Sequence, residues 1–199
     1  MGLTCSAPGR AGIIGNPTDM YGGSVISCSL LERATVFLRE SDRLILETDG
    51  DQRILASPDE FELQGDHFDI ARAVLTGTNA TDLKVCISWK TDIPFQAGLS
   101  GSTSLLVATL SAISTYRGKR YSLYHLAELA RMIEYRYLGV FCGYQDAYMC
   151  TFGGLNYMDF RGKEFHQEFG SDPLATIEPL MSYVPYVPLV LVNTEARKL

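Results

Sequence analysis

The stretch 94–113, PFQAGLSGSTSLLVATLSAI, constrains the fold more than any other part of the chain, because its first half is nearly bare of side chains and its second half is almost wholly apolar. The second half carries apolar residues on a helical repeat through Tyr116, and the break at Arg117, Gly118 and Lys119 ends it. The first half then has three readings: a flexible spacer, a tight turn into that helix, or a cradle in which backbone N–H groups meet an anion.

The seam also divides the chain by periodicity. Before it, 24–39 (SVISCSLLERATVFLR), 43–48 (RLILET) and 84–89 (KVCISW) read as strands, with Asp49, Gly50 and Asp51 as turn material, and a weaker helix is expected over 66–75. After it, a second helix is expected over 122–137 with Ser122 as N-cap, a short one over 144–151, and a strand over 155–160 (LNYMDF). Near the end, two prolines precede the apolar run 189–192, which reads as a last, buried strand. With 199 residues, no internal repeat and no linker, the expectation is one α+β domain over 1–199.

The net charge of −6 argues against a nucleic-acid partner, which needs a basic surface, although a local site can still take a small anion. No secretory signal is visible, and no apolar run approaches the roughly 20 residues of a membrane helix. Cys5, Cys28, Cys86, Cys142 and Cys150 are odd in number and form no C-x-x-C pair, so the expected compartment is a reducing cytoplasm. His67, His125 and His166 show no ligand spacing, and Trp89 reads as core.

Gly98 and Gly101 let the backbone curl, while Ser100, Ser102, Thr103 and Ser104 bring hydroxyls to a helix start whose amides and dipole favour negative charge. On spacing alone a capped turn and a phosphate cradle both remain open. The loop is not a G-x-x-x-x-G-K-[ST] phosphate loop, because no lysine follows the second glycine, and it is not G-x-G-x-x-G. Two further constellations accompany it: 7–23, APGRAGIIGNPTDMYGG, read as a glycine-rich loop between strands, and 143–154, GYQDAYMCTFGG, with an aspartate just inside a short helix.

Together, in this order, the three stretches resemble the motifs of the GHMP small-molecule kinases, the family of galactokinase, homoserine kinase, mevalonate kinase and phosphomevalonate kinase; within it, the detail looks most like the glucuronokinase branch of sugar 1-kinases. The matching region is 6–160. The resemblance implies the family's N-terminal domain, ribosomal protein S5 domain 2-like, with a mixed sheet packed against helices and the C-terminal half absent or nearly so. It implies ATP with its phosphates over Gly98, Leu99, Ser100, Gly101, Ser102, Thr103 and Ser104, and Mg2+ at Ser102 and Glu134. Asp146 matches the catalytic aspartate and Arg10 the basic residue that faces it; Asp19, with Asn16 and Tyr21, falls where sugar kinases hold substrate.

Plainer roles stay open beside these: a solvated helix carboxylate for Glu134, a helix-dipole charge for Asp146, a surface ion pair for Arg10 and an Asx-type turn for Asp19. Pro17 stands where galactokinase has histidine, which counts against galactose. The implied reaction is ATP- and Mg2+-dependent phosphorylation of a glucuronate-like sugar at its anomeric hydroxyl, with a nucleotide- or sugar-binding module, or an inactive subunit of a split kinase, as the alternative. Another sugar or a mevalonate-type alcohol is the alternative substrate. The shortened family pattern makes a homodimer or a separate C-terminal-half subunit the expected partner.

Overall fold

The computed structural model describes residues 2–94, 96–163, 170–184 and 186–192. Among the described residues, a seven-stranded sheet runs β4-β3-β5-β2-β6-β7, with β1 paired to β2. Its organiser is β2 (Ser24–Glu40), which pairs antiparallel with β1 (Gly2–Ile14), with β6 (Leu155–Asp159) through 24–28, and with β5 (Val85–Thr91) through 34–40. Parallel pairing joins β3 (Leu44–Thr48) to β5, β4 (Asp51–Leu55) closes a hairpin on β3, and β7 (Thr176–Pro179) forms the edge beside β6.

Alternation in β2 explains the layering. Ala34, Val36 and Leu38 are buried while Phe37 and Arg39 are exposed, so one face of the sheet holds the core and the other meets water. On that inner face lies α2 (Gly101–Tyr116), buried along most of its length through Leu105, Leu106, Val107, Leu110 and Ile113, as a helix apolar on all sides must be. Flanking it are α1 (Asp69–Gly77), α3 (Leu123–Arg136) and α4 (Gln145–Phe152). A smaller apolar cluster of Val25, Tyr148, Met149, Met158 and Phe160 seats α4 against β2 and β6.

The helices and four of the strands lie where periodicity places them, and Ser122 accepts from the His125 N–H at 3.2 Å as the N-cap of α3. Three expectations change. The stretch 7–14 is strand rather than loop, because β1 follows β2 along nearly its whole length, with register shifts at Pro8/Arg10 and Gly12/Ile14. Asp51 starts β4, leaving Asp49 and Gly50, both at positive φ, as the turn. The run 189–192 is neither buried nor strand: its residues are 53–87% exposed and pair with no described strand, so among the described residues the last strand is β7 instead.

Candidate active site

Three segments converge where β1, the start of α2 and the start of α4 meet. Arg10, on β1, donates from Nε to Asp146 Oδ1 at 2.7 Å, and its Nη2 lies 2.6 Å from the same oxygen. The remaining arm reaches the carbonyl of Gly98 at 3.0 Å, and the Arg10 backbone N–H donates to the carbonyl of Leu99 at 3.1 Å. One arginine therefore fixes the glycine loop and the aspartate at once. The Arg10 side chain is 11% exposed and Asp146 32%, so this is a partly desolvated pair and not a surface bridge.

The first intrahelical bond of α2 runs from the Ser104 N–H to the carbonyl of Ser100 at 2.8 Å, so the N–H groups of Gly101, Ser102 and Thr103 have no acceptor within the helix. Ser100, the N-cap, sits at φ 59°, ψ 37°, a left-handed conformation that turns the chain sharply into the helix. Gly98, also at positive φ, leaves open space where a Cβ would stand. Ser102 is exposed at this helix start.

Two of the hydroxyls expected at the phosphates point inward. Ser104 is fully buried and its Oγ lies 2.7 Å from the carbonyls of Pro8 and of Ser100, so neither its hydroxyl nor its amide remains for an anion. The side chain of Leu99 is likewise core, leaving only its backbone at the loop. Thr103 Oγ1 lies 2.9 Å and 3.1 Å from the two oxygens of Glu134. Glu134 itself is 3% exposed, which removes the solvated-carboxylate reading. Burial, and secondarily the negative Asp146, push its carboxyl up to about 7.

Asp19 has a role that no local pattern in the sequence announces. It is buried, and its Oδ2 accepts from the backbone N–H groups of Tyr144 at 2.8 Å and Gln145 at 2.9 Å, capping α4 from a 3-10 turn at Thr18–Tyr21 far away in sequence. Gly143 makes the approach feasible, since a Cβ there would stand 2.1 Å from Asp19 Oδ2. Asn16 is exposed beside Gly12, and Tyr21 is 82% exposed.

Other side chains have settings of their own. Arg72 is held by Asp66 and Asp69 at the head of α1, Arg131 lies between the Tyr135 and Tyr144 rings, and Arg136 is exposed. Trp89 packs edge-on to Phe68 in the core. His67 pairs with Asp51, His125 contacts Ser122, and His166 lies outside the described residues. Among the described residues no group of three His, Cys, Asp or Glu is arranged to hold a metal, and no helix is long and apolar enough to cross a membrane.

Residues 68–154 match the family model for the GHMP kinases N terminal domain, and residues 2–40 match the galactokinase galactose-binding signature. The chain folds as a GHMP kinase N-terminal domain. It is 30% identical over 171 residues to D-glycero-alpha-D-manno-heptose 7-phosphate kinase of Campylobacter jejuni, covering 79% of this chain and 50% of that protein. Glucuronokinase 1 of Arabidopsis thaliana is 27% identical over 184 residues, covering 81% and 49%. Among solved structures, a D-glycero-D-manno-heptose 1-phosphate kinase from Bacteriodes thetaiotaomicron superposes with a TM-score of 0.73 at 24% identity, covering 90% of this chain and 60% of that one. The chain thus spans about half the length of the curated GHMP relatives it matches.

Proposed function

We propose that this GHMP domain is the nucleotide-binding and catalytic part of a cytoplasmic kinase that moves the γ-phosphoryl group of ATP onto the anomeric hydroxyl of a glucuronate-like sugar, giving the sugar 1-phosphate and ADP. The observation that carries the reading is the Arg10–Asp146 pair tied to the carbonyls of the amide-presenting loop. The unbonded N–H groups of Gly101, Ser102 and Thr103 suit the phosphates of the nucleotide. The sugar hydroxyl oxygen forms the new O–P bond, the bond from the γ-phosphorus to the bridging oxygen breaks, and the hydroxyl proton passes to Asp146. Arg10 keeps Asp146 oriented and offsets the charge gathering on the transferred group.

The oxygens present also fit a magnesium ion. A dry carboxylate pushed up to about 7 is one whose ionised form is short of positive charge, and it accepts from Thr103 at the start of α2, next in the chain to Ser102. Glu134 and Ser102 would hold the ion, with Thr103 orienting the carboxylate, and when bound it would neutralise phosphate charge. On the sugar side, Asn16, Tyr21 and the remaining oxygen of Asp19 are the candidate contacts, Asp19 because it caps the helix that carries Asp146. Five free thiols suit the cytoplasm.

ADP release measured with glucuronate, galacturonate, galactose, a heptose phosphate and mevalonate tests the reading. Activity with glucuronate that Asp146→Asn abolishes is the expected result, and activity indifferent to Asp146→Asn sinks it. A second reading, a nucleotide- and sugar-binding unit completed by a separate chain or a second copy, draws on the exposed apolar side chains of Tyr183, Tyr186 and 189–192. Thermal stabilisation by ATP and magnesium without turnover, followed by turnover when a separate chain carrying the family's C-terminal half is added, separates it from the first.

A further inference from the structure

Gln145, next in the chain to Asp146, is buried with both of its side-chain polar atoms unpartnered, where Ser100 of the glycine loop leaves one. It is 1% exposed, and neither its Oε1 nor its Nε2 finds a hydrogen-bond partner among the described residues. A carboxamide buried in this way forfeits its hydrogen bonds to water and receives none in return, a cost that a folded protein ordinarily avoids. Its backbone is not at fault, because the Gln145 N–H is held by Asp19 at 2.9 Å and Asp146 follows directly on the same helical turn.

The head of the side chain lies beside Gly12 of β1. A Cβ built on Gly12 would stand 3.6 Å from Gln145 Nε2, 3.5 Å from Asn16 Cβ and 3.7 Å from Asn16 Nδ2, so two amide side chains approach a residue of β1 that offers no side chain of its own. Asn16 is exposed there and Gln145 lies beneath it. The two amides make no hydrogen bond to one another.

We propose that Gln145 is a sugar-binding residue that fixes the specificity of the site, its carboxamide engaging two hydroxyls on neighbouring ring carbons of the substrate once Asn16 has turned aside. A vicinal pair of hydroxyls matches it chemically, since Oε1 accepts from one hydroxyl while Nε2 donates to the neighbouring oxygen. The side chain is then a preformed socket whose unmet hydrogen bonds are met by the ligand, and the aspartate next to it receives a sugar already held in register. This inference rests on the sugar-kinase reading above.

Gln145→Met and the isosteric Gln145→Glu are compared with the unaltered protein, with glucuronate and galactose as probes. For Gln145→Met the expected outcome is a sugar KM raised roughly tenfold or more, with the KM for ATP within about twofold of the original. Without sugar its melting temperature should rise by about 2–4 °C, because an unpaired buried amide has been removed. Gln145→Glu loses the donor, so it should also raise the sugar KM but without that thermal gain, and it carries the test if the methionine variant does not fold. An unchanged sugar KM in both variants overturns the inference while leaving the kinase reading intact. A lower melting temperature with unchanged sugar affinity overturns it in favour of a packing role. No dependence of the unaltered protein on either sugar removes the sugar-kinase reading and this inference together.

Discussion

Arg10 and Asp146 meet through a single carboxylate oxygen, Oδ1, which takes both Nε and Nη2 of the guanidinium. Replacing Asp146 by Asn keeps the shape and removes the charge; kcat is expected to fall by about 10²–10⁴, measured as ADP release, with little change in the KM for ATP. Arg10→Lys keeps the charge but cannot reach Asp146 and the Gly98 carbonyl together, and a loss of about 10²-fold in kcat is expected. Glu134 supplies a pH test. Below about pH 4.5 folded and unfolded chains both carry its proton; between there and pH 7 only the folded chain keeps it, so this group makes the protein less stable as pH rises through that window. The loss is about 3 kcal/mol, and urea titrations across pH 4.5–8 should show it diminished in Glu134→Gln. Asp146, Arg10 and the loop glycines were legible as residues because motif order announces them. Thr103 as the partner of Glu134, Ser104 as a buried tie to Pro8, and Gln145 were not, because inward and outward positions on a helix apolar on all sides look alike in one dimension.

At the scale of elements, α4 holds its place by two attachments of different kinds. Its N-terminus is gripped by Asp19, and its flank by a buried network in which Lys163 Nζ lies 2.8 Å from Glu128 Oε1, 2.9 Å from Asp172 Oδ2 and 2.9 Å from the carbonyl of Pro173. The hydroxyl of Tyr148, on α4, donates to Glu128 Oε1, and that of Tyr144 donates to Asp172 Oδ2 at 3.3 Å. Lys163→Met would leave two buried carboxylates without their cation, and a loss of about 3–5 kcal/mol by chemical denaturation is expected. Gly143→Ala should cost less stability yet more activity, since it drives Asp19 off the helix start that carries Asp146; a kcat loss larger than the thermal shift would suggest, read from paired melting and ADP-release curves, is the expected signature. Helices and central strands were readable from periodicity. β1 was not, because its glycines and proline disguise a strand conformation that pairing with β2 imposes, and β4 was missed because its residues are mostly exposed and do not alternate.

For the whole molecule, a chain of net charge −6 is proposed to bind a polyanion, which it can do only where local amides and Arg10 reverse the sign. ATP with magnesium at about one hundred times its Kd should stabilise the fold by about 2.7 kcal/mol, a rise of roughly 5–10 °C in Tm, and Arg10→Met should diminish it. The fold class was legible because strand-like and helix-like blocks fall on opposite sides of the loop, whereas the fate of 189–192 was not, since apolar composition does not say whether a pairing partner exists. One consequence follows from the way β2 is shared. Its pairing with β1 comes early in the chain, but Ser24 waits for Asp159 and Ser29 for the carbonyl of Gly154 before that end of the strand is complete. During synthesis the first hairpin emerges long before the helix that carries Asp146, so the site is assembled late, and a ribosome stalled before β6 has emerged should present a chain whose amides over 24–29 exchange with solvent while those over 34–40, already paired with β5, are protected.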